Sequence, residues 1–429
     1  PANFFATNPG AQRKLVETGG ESLKAGLQNL LADIEKGHIS QTDEAAFEVG
    51  RNVATTPGSV VFQNALIQLI QYEATTPRVG ERPLLMVPPS VNKFYIMDLQ
   101  PENSLVAHAL ANGHTVFMLS WRNVGPELGH LTWDDYLETG IFEAIRVVRE
   151  ITGAETINAL GFCVGGTMLA TALAALAHRG ERPVAALTLM TTLLDFARPG
   201  VLGVLVDEPS IVLREQTIGK GGLLHGKELA TTFSFLRPND LVWNYYVNNY
   251  LKGEQPPAFD LLYWNSDSTN LPGPMFAWFL RHTYLQNELR IPDRLVCAGA
   301  PIDLGRIGVP SFVFGAREDH IVPWEAAYDG ARLLSGPVQF VLGASGHIAG
   351  AINPATKNKR SYWLGPAPQL ESQEWLGQAV EQPGSWWNEW TRWLAAYQGP
   401  LKPAPIAVGS PDHPPIEPAP GSYVKMKAD

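Results

Sequence analysis

The amino-acid sequence predicts an α/β protein whose largely parallel sheet is covered by helices on both faces. Short apolar runs alternate with helical patterns from Pro83 onward. A strand, a sharp turn and a helix follow one another between residues 156 and 179. The 429 residues are 45% hydrophobic and 17% charged, a globular composition with enough apolar side chains for a large core.

Six short apolar runs predict the strands of this sheet. They are PLLMVPP at 83–89, HTVFMLSW at 114–121, TINALGF at 156–162, ALTLMTT at 186–192, PSFVFGA at 310–316 and VQFVLGA at 338–344. Helical patterns at 133–151 and 164–179 lie between the earlier runs. Strands that alternate with helices predict parallel pairing.

The remaining segments frame this core. Residues 1–75 are interpreted as a lead-in segment, the end of an N-terminal domain, with an amphipathic helical pattern at 11–36 that Gly19 and Gly20 interrupt. Because the chain opens at Pro1 without a methionine, we expect it to be part of a longer protein. The core is predicted at 76–194 and 304–398.

Between the two halves of the core, residues 195–303 are predicted to form a helical cap. Thirteen aromatic side chains lie between Phe233 and Tyr284, a much higher density than the chain average of 10%. Such enrichment is typical of a cap over an apolar pocket or of an oligomer interface. After a tryptophan-rich final helix, residues 399–429 are proline-dense and predict an extended tail.

Charge and cysteine content exclude several classes of function. The net charge of −10 argues against nucleic acid as the main partner. The sequence contains no apolar run long enough for a membrane span or signal peptide, and two cysteines cannot form a disulfide framework. We therefore expect a cytoplasmic protein. The basic run Lys357, Lys359 and Arg360 is interpreted as a solvated loop, or as a contact for substrate phosphates.

The hexad GFCVGG at 161–166 predicts a nucleophile at Cys163. Gly161 and Gly165 allow the chain to turn sharply around a strained central residue, which then projects above the end of the sheet. The alternative of a buried structural thiol is weaker, because glycines on both sides would weaken a strand and a helix. A phosphate-binding loop is excluded, since Cys163 replaces the second glycine of the dinucleotide pattern and the Walker lysine is missing.

A cysteine nucleophile needs a base and a group that orients the base. Catalytic side chains of parallel sheets collect just past the carboxyl ends of strands, where His320 and His347 lie. We favour His347, flanked by small residues in GASGHIAG, with Asp319 as its acid; Glu318 is the weaker candidate. The order nucleophile, acid, histidine is that of α/β-hydrolase folds.

Two backbone amides are predicted to form an oxyanion hole. Val164 begins the helix after the nucleophile, and helix N-termini present unpaired N–H groups. The loop after the first strand supplies the second donor. Pro88 and Pro89 have no N–H, so Ser90, Val91 and Asn92 remain, and Val91 is preferred.

The sequence resembles the class I polyhydroxyalkanoate synthases over nearly its whole length. The resemblance rests on these motifs: LLMVPPSVNKFYIMDLQPENSLV, HTVFMLSWRN, GFCVGGT, MTTLLDF, FSFLRPNDLVWNYYVNNYLKG, LPGPMFAWFLRHTYLQNEL, GAREDHIVPW, GASGHIAGAINP and NKRSYW. It implies an α/β-hydrolase core with a cap. The family's catalytic triad falls on Cys163, Asp319 and His347, and its oxyanion donors fall on Val164 and Val91.

The resemblance also implies the activity and its setting. We expect polymerisation of (R)-3-hydroxyacyl-CoA, mainly 3-hydroxybutyryl-CoA, with release of CoA through an acyl-cysteine intermediate. CoA enters as part of the substrate, and no cofactor or metal is expected. A homodimer through the cap and a position at the surface of cytoplasmic polymer granules are expected. The alternatives are a thiol-dependent esterase or thioesterase and a catalytically inactive scaffold.

Overall fold

The computed structural model describes residues 2–428, which contain one eleven-stranded sheet. In chain order its strands are β1 Gly58–Gln63, β2 Ile67–Tyr72, β3 Leu84–Val87, β4 Val116–Trp121, β5 Ile157–Phe162, β6 Val184–Met190, β7 Ser311–Ala316, β8 Val338–Gly343, β9 Ser361–Leu364, β10 Val380–Pro383 and β11 Glu417–Pro418. Their spatial order is β10-β9-β8-β7-β6-β5-β3-β4-β2-β1-β11. The six predicted runs form the centre, β8-β7-β6-β5-β3-β4, and every pair within it is parallel.

The outer strands on both sides were not predicted. Strand β2 pairs with β4, and β1 pairs with β2, both in antiparallel fashion. On the other side, β9 pairs with β8 and β10 pairs with β9, also antiparallel. Residues 58–72 of the predicted lead-in segment thus belong to the central sheet. The proline-dense tail also pairs with the body: Leu401–Pro403 pairs with Arg78–Gly80, and β11 pairs with β1.

Helices cover both faces of the sheet, as the alternation of runs predicts. The α-helices of the described residues, those of the cap and of the N-terminal segment included, are Pro9–Glu17, Glu21–Lys36, Leu105–Ala111, Trp133–Asp135, Glu143–Thr152, Val164–His178, Glu208–Gln216, Gly226–Phe235, Asp260–Ser266, Gly273–Phe279, Trp324–Ala331, His347–Ala351, Ser372–Gln378 and Trp386–Ala395. The helix Val164–His178 is buried along almost its whole length because it packs between the sheet and its neighbours. On the other face, Trp386, Trp387 and Trp390 of the final helix are buried against the strands.

The segment between β6 and β7 is mainly helical and aromatic. Four α-helices, Glu208–Gln216, Gly226–Phe235, Asp260–Ser266 and Gly273–Phe279, alternate there with π-helical turns such as Leu280–Leu285. A short ribbon joins Leu223–Leu224 to Leu271–Pro272. We call residues 195–303 the cap, because they supply much of the wall over the carboxyl ends of the central strands.

Candidate active site

Cys163 lies in the sharp turn between β5 and the helix Val164–His178, which we call the elbow helix. Its backbone has a φ of 53°, which is uncommon for a residue with a side chain and marks local strain. A Cβ at Gly165 would lie 2.4 Å from the Pro88 oxygen, and one at Gly161 would lie 2.4 Å from the Gly166 Cα. The close approach of these backbones therefore requires glycine at both positions, as the motif predicts.

Asp319 and His347 meet at the carboxyl ends of the neighbouring strands β7 and β8. The His347 Nδ1 and the Asp319 Oδ2 are 2.6 Å apart. The other carboxylate oxygen, Oδ1, accepts the backbone N–H groups of Ile321 at 2.9 Å and Val322 at 2.8 Å. These bonds fix the carboxylate, and the carboxylate in turn fixes the ring of His347.

Charge and burial act in opposite directions on His347. Burial lowers the pKa of its imidazole, but the Asp319 carboxylate and the Cys163 sulfur outweigh this effect and raise the pKa above its ordinary value. The Nδ1 atom of the ring is hydrogen-bonded to the Asp319 carboxylate. The Asp319 carboxylate therefore stabilises the imidazolium that forms when His347 takes up a proton.

The two competing residues have other surroundings. Glu318 is exposed, and its neighbour Asp319 is buried with His347. His320 is half-buried beside the same site, but its Nδ1 has no hydrogen-bond partner in the described part of the chain. Burial lowers the pKa of His320, which favours its neutral form. The geometry thus joins Asp319 to His347 and leaves His320 without an acid.

The two residues predicted to supply the oxyanion donors both border Cys163. Val164 is the first residue of the elbow helix, and Val91 lies on the loop that follows β3. Val91 and Cys163 line the same two cavities. The use of their amides as oxyanion donors stays a prediction.

Two apolar cavities meet at Cys163. The first cavity, about 350 Å³, lies under the cap and includes Leu205, Leu229, Phe276 and Phe279 in its wall. The second cavity, about 330 Å³, lies on the His347 side and includes Leu261 and Trp264. Cys163 therefore lines both apolar cavities.

A third pocket continues from the second cavity. It shares Phe259, Leu261 and Ala349 with that cavity, and Lys357, Lys359 and Arg360 line it. We call it the basic pocket. The basic run predicted to be a loop or a phosphate contact therefore lies beside the second cavity.

Two further residues at the site were missed by the sequence reasoning. The hydroxyl of Thr192 lies 3.2 Å from the Cys163 carbonyl oxygen and 3.1 Å from that of Met190, so it helps to hold the turn. Tyr284 lines the first cavity; burial raises the pKa of its phenol, as do the nearby Cys163 and Asp319. Thr192 is the last residue of the run ALTLMTT. Its position just past a predicted strand was the sequence signal that could have placed it near the active site.

The second cysteine differs from the first. Cys297 is fully buried, and burial raises the pKa of its thiol.

Among residues 2–428, no group of three or more His, Cys, Asp or Glu side chains is arranged to hold a metal ion. Within the same residues, no helix is both long and apolar enough to cross a membrane.

A strained cysteine at a strand–turn–helix elbow, with an acid and a histidine after later strands, defines the α/β-hydrolase fold. Residues 84–354 match the family described as the alpha/beta hydrolase fold, and residues 1–109 match the poly-beta-hydroxybutyrate polymerase (PhaC) N-terminus. A hydrolase from Pseudomonas aeruginosa PA01 is similar with a TM-score of 0.41 and 16% identity, over 69% of this chain and 93% of that chain.

Full-length similarity identifies the family within this fold. The chain is 60% identical over 433 aligned residues to the poly(3-hydroxyalkanoate) polymerase subunit PhaC of Cupriavidus necator. The alignment covers 100% of this chain and 74% of that protein. The corresponding protein of Rhizobium meliloti is 42% identical over 100% of this chain and 70% of its own length. The chain belongs to the class I polyhydroxyalkanoate synthases, which are acyltransferases.

Proposed function

We propose that this enzyme polymerises (R)-3-hydroxyacyl-CoA, mainly 3-hydroxybutyryl-CoA, through a thioester on Cys163. The single observation that carries the proposal is the position of Cys163, in a strained elbow beside the His347–Asp319 pair and between two apolar cavities. The relatives named poly(3-hydroxyalkanoate) polymerase support the same reaction.

Sulfur suits this reaction because acyl transfer from CoA to Cys163 exchanges one thioester for another. The Cys163 sulfur attacks the carbonyl carbon, the C–S bond to CoA breaks, and CoA leaves as its thiolate. The acyl group keeps its activation, so the later attack by an alcohol is favourable. His347 accepts the proton of the Cys163 thiol in the first step and gives it to the departing CoA thiolate, so its ring is neutral again. In the second step it accepts the proton of the attacking 3-hydroxyl and returns that proton to the Cys163 thiolate that leaves. The amides of Val164 and Val91 bind the oxyanion of each step.

The cavities support a division of labour around the sulfur. Their apolar walls limit the access of water to the thioester. A transferase requires this, because attack by water would hydrolyse the thioester instead of transferring the acyl group. The basic pocket beside the second cavity carries three cationic side chains against the two carboxylates of Glu102 and Asp260, and this excess of positive charge suits the phosphates of CoA. In the proposed arrangement the CoA ester occupies the second cavity and the growing polyester occupies the first cavity.

Exposed apolar residues support the expected assemblies. Val204, Leu205 and Leu213 of the cap are exposed, which suits a homodimer contact through the cap. Leu27 and Leu31 of the helix Glu21–Lys36 are exposed on one face, which suits contact with a polymer granule. In the proposed reaction CoA enters as part of the thioester substrate, and no separate cofactor is needed.

Product analysis after incubation with (R)-3-hydroxybutyryl-CoA tests the proposal. We expect polymer to form, with one molecule of free CoA released for each monomer unit that enters the polymer. Free 3-hydroxybutyrate with CoA would instead indicate a thiol-dependent hydrolase, and no release of CoA would indicate an inactive scaffold. A parallel incubation with the Cys163→Ala enzyme controls for spontaneous thioester hydrolysis.

A further inference from the structure

The loop that carries Val91 is fastened to one edge of the cap. We call residues 88–93 the Val91 loop and residues 264–270 the cap edge. The Thr269 N–H donates to the Val91 oxygen at 3.1 Å, and the indole N–H of Trp264 donates to the Lys93 oxygen at 2.7 Å. Asn92 and Ser268 form an antiparallel bridge. The position of Val91 is therefore set by the cap as well as by the sheet.

A buried carboxylate braces this junction. Asp267 is only 5% exposed, and its Oδ2 accepts the phenol hydroxyl of Tyr95 at 2.7 Å. The Lys427 Nζ lies 3.1 Å from the same oxygen. The other oxygen, Oδ1, is buried and has no hydrogen-bond partner among the described residues. A buried carboxylate with one unpaired oxygen lowers the stability of the folded protein. An apolar residue in place of Asp267 would carry a smaller desolvation cost.

Asn123 joins three parts of the chain at this junction. Its side-chain oxygen accepts the Asn270 N–H of the cap edge at 2.8 Å, and its amide nitrogen donates to the Lys427 oxygen at 2.9 Å. Asn270 extends the network, since its side-chain oxygen accepts the Gly226 N–H at 2.8 Å. Asn123 follows β4, so it ties the core to the cap and to residues 423–427.

Residues 423–427, which we call the latch segment, lie over the junction. The ammonium of Lys93 donates to the Met426 oxygen, so the latch segment is bonded to the Val91 loop. Lys427 bonds to both Asn123 and Asp267. The latch segment thus contacts the loop, the core and the cap edge together.

We propose that Asn123 and Asp267 are positioning residues, which act with the latch segment to fasten the cap edge to the Val91 loop and hold the Val91 amide toward the Cys163 thioester. The inference rests on the proposed function, because it requires Val91 to be an oxyanion donor. A displaced donor stabilises the developing charge less, and loss of one such donor costs about 10²- to 10³-fold in rate.

Two variants weaken the network without removing much volume. Asp267→Asn keeps an acceptor for Tyr95 and removes the charge that faces Lys427. Asn123→Asp keeps the acceptor for the Asn270 N–H but places a carboxylate against the Lys427 oxygen. Asp33→Asn is the matched control. Asp33 is also a buried aspartate that accepts a tyrosine hydroxyl of the cap, that of Tyr250 at 2.6 Å, but it lies on the helix Glu21–Lys36.

The test compares two reactions of the same sulfur. Acylation by radiolabelled hydroxybutyryl-CoA develops an oxyanion, whereas alkylation by iodoacetamide needs a reactive sulfur but develops none. We expect acylation to slow at least tenfold in Asp267→Asn and Asn123→Asp, while alkylation of Cys163 stays within twofold of the parent enzyme. Asp33→Asn should leave both rates within twofold.

Three outcomes overturn the inference. These are unchanged acylation in both variants, an equal loss of acylation and alkylation, and a loss of acylation in Asp33→Asn as large as in the two variants. Labelling of the Cys163→Ala enzyme separates the two levels of the argument. If that enzyme still becomes acylated, the proposed function is wrong; if it does not, a failure in the variants concerns the positioning role alone.

Discussion

Replacing Asp319 with asparagine alters the protonation of His347 with little change in shape. In the parent enzyme the Asp319 Oδ1 accepts two backbone N–H groups, and the Oδ2 faces the His347 Nδ1. The two N–H donors require an acceptor, so the asparagine oxygen takes the Oδ1 position and its NH₂ group faces the imidazole. The NH₂ group donates to Nδ1, which places the imidazole proton on Nε2. His347 then cannot accept a proton from Cys163 or from the substrate hydroxyl.

The expected losses differ between the two chemical steps. Placing the histidine in the wrong tautomer costs about 10⁴-fold in turnover for a triad that activates a hydroxyl. Elongation, in which a 3-hydroxyl attacks, should fall by about this factor. A thiol depends less on a base than a hydroxyl does, because a few per cent of it is already thiolate near neutral pH, so acylation of Cys163 should fall by only roughly 30-fold. Acyl-enzyme should therefore accumulate in Asp319→Asn.

Rapid quench with radiolabelled hydroxybutyryl-CoA measures both steps, as label on protein and label in polymer. His347→Ala should show little of either, because it loses the base and also the Nε2–H group that in Asp319→Asn can still donate to the Cys163 thiolate. Glu318→Gln is the matched control, since Glu318 is exposed and adjacent in sequence. Equal losses of acylation and elongation in Asp319→Asn, or acylation of His347→Ala at the parent rate, would refute the assignment of the two roles.

Three further predictions concern the thiols and one buried acid. Cys163→Ala should abolish release of CoA, whereas Cys297→Ala should retain most of it; equal losses in both folded variants would contradict a single nucleophile. Cys163→Ser should lose several orders of magnitude of polymer synthesis with an unchanged circular dichroism spectrum, because an alcohol is a weaker nucleophile and gives an ordinary ester; near-normal synthesis would contradict the thioester argument. Burial raises the pKa of Asp98 to about 6, although hydrogen bonds from Thr56 and Ser104 act to lower it. Its pKa in the unfolded chain is about 3.9, so the unfolded state loses the proton first and the free energy of unfolding falls by about 2 kcal/mol as pH rises from 4 to 6. Denaturant unfolding of Asp98→Asn should lack this part of the pH dependence, and an unchanged pH dependence would show that Asp98 is not its source.

The centre of the fold and the arrangement around Cys163 were accessible from the sequence because they depend on local signals. Each central strand is an apolar run next to a helical pattern, and the elbow requires glycines at fixed distances from Cys163. Asp319 and His347 each follow such a run, so the parallel order of the strands brings them to one edge. The sequence also favoured His347 over His320 as the base, because small residues flank His347.

The sequence by itself therefore determined the parallel centre, the elbow and the order of the candidate triad, since these depend on periodicity and short-range turn geometry. Only the tertiary structure decided the outer strands, the two cavities and the network around Asn123. Strand β1 pairs with β11, which lies more than 350 residues later, and Asn123 meets Lys427 across 304 residues. Such contacts leave no periodic signal, because a single polar residue or short strand acquires its partner only when the rest of the chain has folded around it.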